Sequence, residues 1–127
     1  MTVHFYRCAT CGNVIFKFVD GGPVPVCCGH EMVELVPNKV DGPHEKHLPV
    51  LRPGAMGSVE VSVGSSPHPM ESGHHICFIC LHTDKGILVQ WLEPGQQPTA
   101  VFYPGDAEPL AAYEYCNLHG LWKTSLC

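Results

Sequence analysis

The sequence predicts a mainly β chain, in which a small metal-dependent N-terminal unit is followed by an antiparallel β-sandwich. Three observations predict it. Glycine and proline occupy 13 and 12 of the 127 positions while only 15% of residues are charged, a composition that favours many turns over long helices. Short apolar runs recur at near-regular spacing between Gly/Pro turns, as sandwich strands do. Four of the eight cysteines lie within the first 28 residues, in a stretch too short to bury a sufficient core of its own, so that a metal is its natural staple.

The elements follow in order. Residues 1–36 form the first unit, with strand-like runs at 3–7 and 14–19 broken by Gly12, Gly21, Gly22 and Gly29. The polar stretch from Pro37 to Pro43 reads as a linker, and 37–127 make up the second unit. There, 58–63 alternates, with Val59, Val61 and Val63 on one face. Runs 75–81 and 87–92 are more continuously apolar, as expected of central strands covered on both sides. Runs 99–103 and 111–115 complete a set of about six strands, with Pro94-Gly95 and Pro104-Gly105 as turns.

A formal net charge of −5 opposes polyanions and leaves no basic patch, so nucleic acid is excluded as a partner. No apolar run reaches the roughly 18 to 20 residues that span a bilayer, and the start MTVHFYRCATCG lacks a secretory signal. The expectation is a soluble, cytoplasmic protein with no membrane contact. In that reducing compartment clustered cysteines point to metal ligation, with disulfides as the competing reading.

Cys8-Ala9-Thr10-Cys11-Gly12 is a metal knuckle, in which Gly12 is free to turn backbone N–H groups toward two thiolates. Cys27-Cys28, followed by Gly29, supplies a second pair. Four soft thiolates suit a tetrahedral iron or zinc site. A zinc ribbon usually repeats the C-x2-C knuckle, whereas this second pair is adjacent. That departure resembles desulforedoxin and the N-terminal module of desulfoferrodoxins, which implies iron in a distorted four-sulfur site, with zinc possible.

Nine histidines are present. His4, His30, His44, His75 and His82 are read as ordinary surface or core residues. The others stand in distinctive contexts: Glu45-Lys46-His47-Leu48-Pro49, Ser66-Pro67-His68-Pro69-Met70, His74, and Tyr115-Cys116-Asn117-Leu118-His119-Gly120. These stretches resemble the active-site motifs of desulfoferrodoxin and neelaredoxin, the superoxide reductases, and with the first cluster the resemblance runs the length of the chain. It implies a second mononuclear iron with His47, His68, His74 and His119 as equatorial imidazoles and Cys116 as axial thiolate. It implies an immunoglobulin-like sandwich with this site at one exposed end, one-electron reduction of superoxide to hydrogen peroxide, an outside electron donor such as rubredoxin, and a homodimer. By the same resemblance Glu45 and Lys46 are catalytic, the carboxylate reaching the sixth position of oxidised iron and the lysine attracting superoxide and assisting its protonation. Taken without the motif, the two are a solvated charge pair.

Cys77-Phe78-Ile79-Cys80 is a second C-x2-C by spacing. On a regular strand residues three apart face opposite sides, so these thiols are expected to pack as small hydrophobes. Cys127 is expected to be an exposed thiol. Two further readings compete with the enzyme: a non-catalytic electron carrier or metal-binding protein with the same ligands, and a zinc-ribbon interaction protein, which leaves the histidines unexplained.

Overall fold

The computed structural model describes residues 2–39, 44–66 and 68–126, apart from the side chain of Glu45. Residues 40–43 of the expected linker, Pro67, Cys127 and the Glu45 carboxylate therefore lie outside the described residues. The chain divides into two compact units, Met1–Val36 and Pro37–Cys127.

The first unit contains β1 (Phe5–Arg7), β2 (Val14–Phe16), β3 (Val26–Cys27), β4 (His30–Glu31) and β5 (Val33–Glu34). β1 is the middle of an antiparallel sheet between β2 and β5, and β3 pairs with β4 as a hairpin. The first two strands are shorter than the sequence suggests. β2 stops at Phe16 because Lys17 turns its amine onto Asp20 (2.8 Å) and the Pro23 carbonyl (2.7 Å), and Phe18 and Val19 beyond it are exposed. Phe5 is buried, and Tyr6, Cys8 and Met32 form a buried cluster with Cys27 packed against it. Two of the four members of that cluster are cysteines of the first group, so the group is part of the core of this unit.

The second unit opens on one helical turn, α1 (His44–His47), followed by β6 (Pro49–Pro53), β7 (Val59–Val63), β8 (Ile76–Thr83), β9 (Gly86–Trp91), β10 (Thr99–Phe102), β11 (Pro109–Cys116) and β12 (Gly120–Ser125). Among the described residues these strands form two antiparallel sheets, ordered β10-β7-β6 and β12-β11-β8-β9. Both sheets contribute to one core, Val61, Val63, Ala100 and Phe102 from the first and Ile76, Ile79, Leu81, Ala112 and Cys116 from the second. The protein is mainly β, with a sandwich of the expected kind. Burial of each such aliphatic side chain stabilises by about 1.5–3 kcal/mol.

Three differences from the sequence reading have physical causes. β9 is an edge strand, not a central one: only β8 pairs with it, and its Val89 and Trp91 are exposed. An apolar run reports what a strand could bury, and its place in the sheet decides what it does bury. β6 was not expected because proline stands at both of its ends, and a strand tolerates that only at a sheet edge, which is where β6 lies. β12 was missed because its polar residues Lys123, Thr124 and Ser125 hide the buried pair Leu121 and Trp122.

Candidate metal centres

In the first unit Cys8 follows β1 and begins a tight turn in which its N–H donates to the Asn13 carbonyl (2.9 Å) and its carbonyl accepts from the Gly12 N–H (2.9 Å). The turn brings the Cys11 N–H to 3.5 Å from the Cys8 sulfur. The opposite pair sits on the β3–β4 hairpin, where Cys27 faces His30 and Cys28-Gly29 form a two-residue loop. Both loop residues have positive φ, 53° and 76°, the requirement of a type I′ turn, which asparagine-glycine ordinarily fills. The left-handed backbone at Cys28 is how adjacent cysteines come to aim at one point. Sulfurs of Cys11 and Cys27 lie 3.7 Å apart, and those of Cys27 and Cys28 4.0 Å. A tetrahedral ion with metal–sulfur bonds near 2.3 Å needs sulfurs about 3.8 Å apart. The described cysteines are all free of disulfides.

Electrostatics in this cluster call for a cation. The N–H of Cys11 draws the Cys8 thiol down to about 6, whereas hydrogen bonds from the Cys11 and Cys8 sulfurs push Cys28 up to about 12. Four packed sulfurs shed all their protons only around positive charge.

The second cluster gathers at the end of the sandwich where β7 and β11 finish and β8 and β12 begin. His47 closes α1, His68 and His74 lie between β7 and β8, Cys116 ends β11, and His119 lies in the turn to β12. Gly120, at φ 79°, lets the chain leave that short turn. One ligand atom from each of the five residues lies within 4.8 Å of all the others. The four rings form a closed cycle, His47 to His68 to His74 to His119 and back, with centroids 4.7, 4.8, 5.1 and 4.8 Å apart. Each neighbouring pair is nearly perpendicular, at 74–88°. Nε2 of His47 is 3.2 Å from Nε2 of His68 and 3.0 Å from Nδ1 of His119. Nitrogens at right angles around an ion, with bonds near 2.1 Å, stand about 3.0 Å apart. Cys116 is fully buried, with its sulfur 3.9 Å from the His119 ring nitrogen and accepting the His119 N–H at 3.4 Å.

The ring environment favours neutral imidazoles. Nδ1 of His68 donates to the Pro69 carbonyl at 2.7 Å, leaving Nε2 bare toward the centre. Burial holds His68 down to about 4 and lowers His74. Burial raises the Cys116 thiol, and the N–H groups of His119 and Leu118 offset part of that. Nε2 of His74 is buried with no hydrogen-bond partner, a cost of about 1–3 kcal/mol that an ion at the centre would remove. Donor set, spacing and orphaned nitrogen all fit one metal ion.

Every sequence-predicted ligand is thus in one of two clusters, Cys8, Cys11, Cys27 and Cys28 in the first and His47, His68, His74, Cys116 and His119 in the second. His4, His30, His44, His75 and His82 are in neither. Lys46 is exposed on α1, and its charge is among the influences that lower His74. Cys77 and Cys80 join neither cluster. Cys80 is fully buried, and Cys77 lies beside His75 at 3.8 Å, where a register shift opposite Cys116 interrupts the β8–β11 ladder.

Three neighbours of the second cluster escaped sequence reasoning. Trp122 stacks on His47 at 4.8 Å and 24°. Asn117 accepts the His75 N–H (2.9 Å) and donates to the Gly73 carbonyl (3.0 Å), tying the His74 loop to the Cys116 turn. Glu114 is fully buried, and neither carboxylate oxygen has a hydrogen-bond partner. The period-2 alternation Ala112, Glu114, Cys116 was the available signal for Glu114, since it puts that carboxylate on the face of Cys116.

A β-sandwich carrying four imidazoles and a thiolate at one end, in a chain that also holds a four-thiolate cluster, defines a class of protein with two ligand sets, each sized for one ion. The desulfoferrodoxin family profile matches residues 39–125. Desulfoferrodoxin of Desulfarculus baarsii is 42% identical over 93% of this chain and 92% of its own length. A superoxide reductase of Pyrococcus horikoshii is 41% identical over 65% of this chain and 86% of its own. The crystal structure of the superoxide reductase from Treponema pallidum superposes with a TM-score of 0.82 at 32% identity, covering 98% of this chain and all of that one. The chain belongs to the desulfoferrodoxin family.

Proposed function

We propose that this protein is a superoxide reductase, converting superoxide to hydrogen peroxide with one electron and two protons at the His47, His68, His74, His119 and Cys116 centre. The observation that carries the reading is the closed ring of four imidazoles, each nearly perpendicular to its neighbours, with a buried thiolate beside it. Five donors leave one position of an octahedron for a small anion. Iron held there would supply the one-electron chemistry, and the Cys116 thiolate would raise its electron density as axial cysteines do in haem enzymes. His68 and His74, held neutral by burial, add no charge of their own. Lys46, exposed beside His47, provides positive potential for an arriving anion, and the Glu45 carboxylate would take the open position once the iron is oxidised.

The four-cysteine unit, residues 1–36, is proposed as an accessory iron module, with zinc as the other ion its sulfurs would accept. Residues 37–127 carry the reaction. The electron comes from a small carrier such as rubredoxin, and the working form is a cytoplasmic homodimer. No helix among the described residues is long and apolar enough to cross a membrane.

The test is stoichiometric. Iron-loaded, reduced protein exposed to a superoxide pulse should yield one hydrogen peroxide per superoxide consumed, without evolving oxygen, and should turn over with a one-electron donor. Iron that stays bound while superoxide decays only at its spontaneous rate would favour a non-catalytic electron carrier.

A further inference from the structure

Trp122 has no part in the ligand set, yet it touches the centre twice. Its indole lies on the His47 ring at 4.8 Å and 24°. Its Nε1–H donates to the His119 carbonyl at 2.9 Å. His47 and His119 are themselves neighbours in the imidazole ring, 72 residues apart in sequence, with nitrogens at 3.0 Å. Trp122 is fully buried and its backbone is fixed from outside as well. Asn38 donates to the Leu121 and Lys123 carbonyls and accepts the Lys123 N–H, at 3.0, 3.2 and 2.9 Å. A rigid, clamped aromatic side chain thus spans two ligands from distant parts of the chain.

We infer that Trp122 is a positioning residue for the second centre, setting the plane of His47 by stacking and the depth of His119 through its carbonyl. The two contacts do separable things. The hydrogen bond fixes the turn from which His119 projects, and outer partners of this kind commonly change metal retention by about 10- to 100-fold. The stacked face carries the negative side of the indole quadrupole, and an electron-rich face over a metal-bound imidazole favours the more positive ion. The stack therefore favours ferric over ferrous iron and lowers the reduction potential.

The inference rests on iron occupying this centre, and the test separates the two. In iron-loaded protein, Trp122→Phe keeps an aromatic face on His47 and loses the N–H. Trp122→Leu loses both. Iron release from the second centre to excess EDTA, followed through the thiolate absorption band, should be at least about tenfold faster in both variants than in wild type. Reduction potential should rise clearly in Trp122→Leu and little in Trp122→Phe. Equal release rates in all three proteins, or equal potentials in Trp122→Leu and wild type, would overturn the inference. If Trp122→Leu fails to fold, Trp122→Phe decides: unchanged release overturns it and faster release at an unchanged potential supports it. Wild type that holds no iron at this centre would instead overturn the proposed function.

Discussion

At the scale of single residues, the second centre depends on groups that burial has made expensive. Cys116 is enclosed completely and receives the His119 N–H, so its thiolate is stabilised by the turn that delivers its neighbour. Cys116→Ser exchanges a soft anionic donor for a weakly basic hydroxyl. The expected outcome is loss of the thiolate charge-transfer band and of most superoxide reactivity, read by visible absorption and pulse kinetics. A variant with full activity would remove Cys116 from the ligand set. Glu114 is costly in another way, because burial raises its carboxyl well above the ordinary range and its oxygens lack partners. A carboxyl whose folded pKa is raised binds its proton more tightly folded than unfolded. Its contribution is therefore complete below about 4.5 and is lost as pH rises toward the folded value. The wild-type urea midpoint should fall more steeply with pH above 4.5 than that of Glu114→Gln, and parallel curves for the two proteins would contradict this.

At the scale of elements, a turn and a strand carry most of the consequence. The β3–β4 hairpin has cysteine where a type I′ turn ordinarily has asparagine, so local preference is given up to bring two adjacent sulfurs into one cluster. Gly29 completes the turn at φ 76°, with open space where a Cβ would stand. Gly29→Ala therefore tests backbone strain without a clash, at about 1 kcal/mol. Metal at the first site should leave to a chelator about fivefold faster while the second site is unchanged, and equal rates at the first site would mean the turn is not under that constraint. β12 has the corresponding place in the sandwich, presenting Trp122 to two ligands. The turn chemistry was legible in advance, since glycine after each cysteine pair signals the knuckles. β12 and the edge position of β9 were not, because a strand's neighbours are set by distant pairing and leave little mark on its own residues.

At the scale of the whole molecule, the proposed substrate is an anion and would meet a protein of formal charge −5. The mean field opposes its approach, and local positive potential at Lys46 works against that field. Lys46→Ala should slow the second-order reaction of reduced protein with superoxide by up to about tenfold, with metal content and spectrum unchanged. Wild type should also slow as salt rises, because ions screen a steering charge beyond about 8–10 Å, and the variant should respond weakly or in the opposite sense. Identical rates and salt dependence would leave Lys46 an ordinary surface charge.

By itself the sequence determined the chemistry and the class of fold. Soft thiolates in tight pairs, and histidines in four marked contexts with one cysteine, are matters of residue type and local spacing, which survive without coordinates. So do alternating apolar runs and Gly/Pro turns. Tertiary structure alone decided the cyclic order of the four imidazoles, the union of the first cluster with the core of its unit, and the parts taken by Trp122, Asn117 and Glu114. The reason is distance along the chain: His47 and His119 are 72 residues apart, and which ring stands next to which is fixed by the pairing of β11 with β12 and by the packing of one sheet on the other.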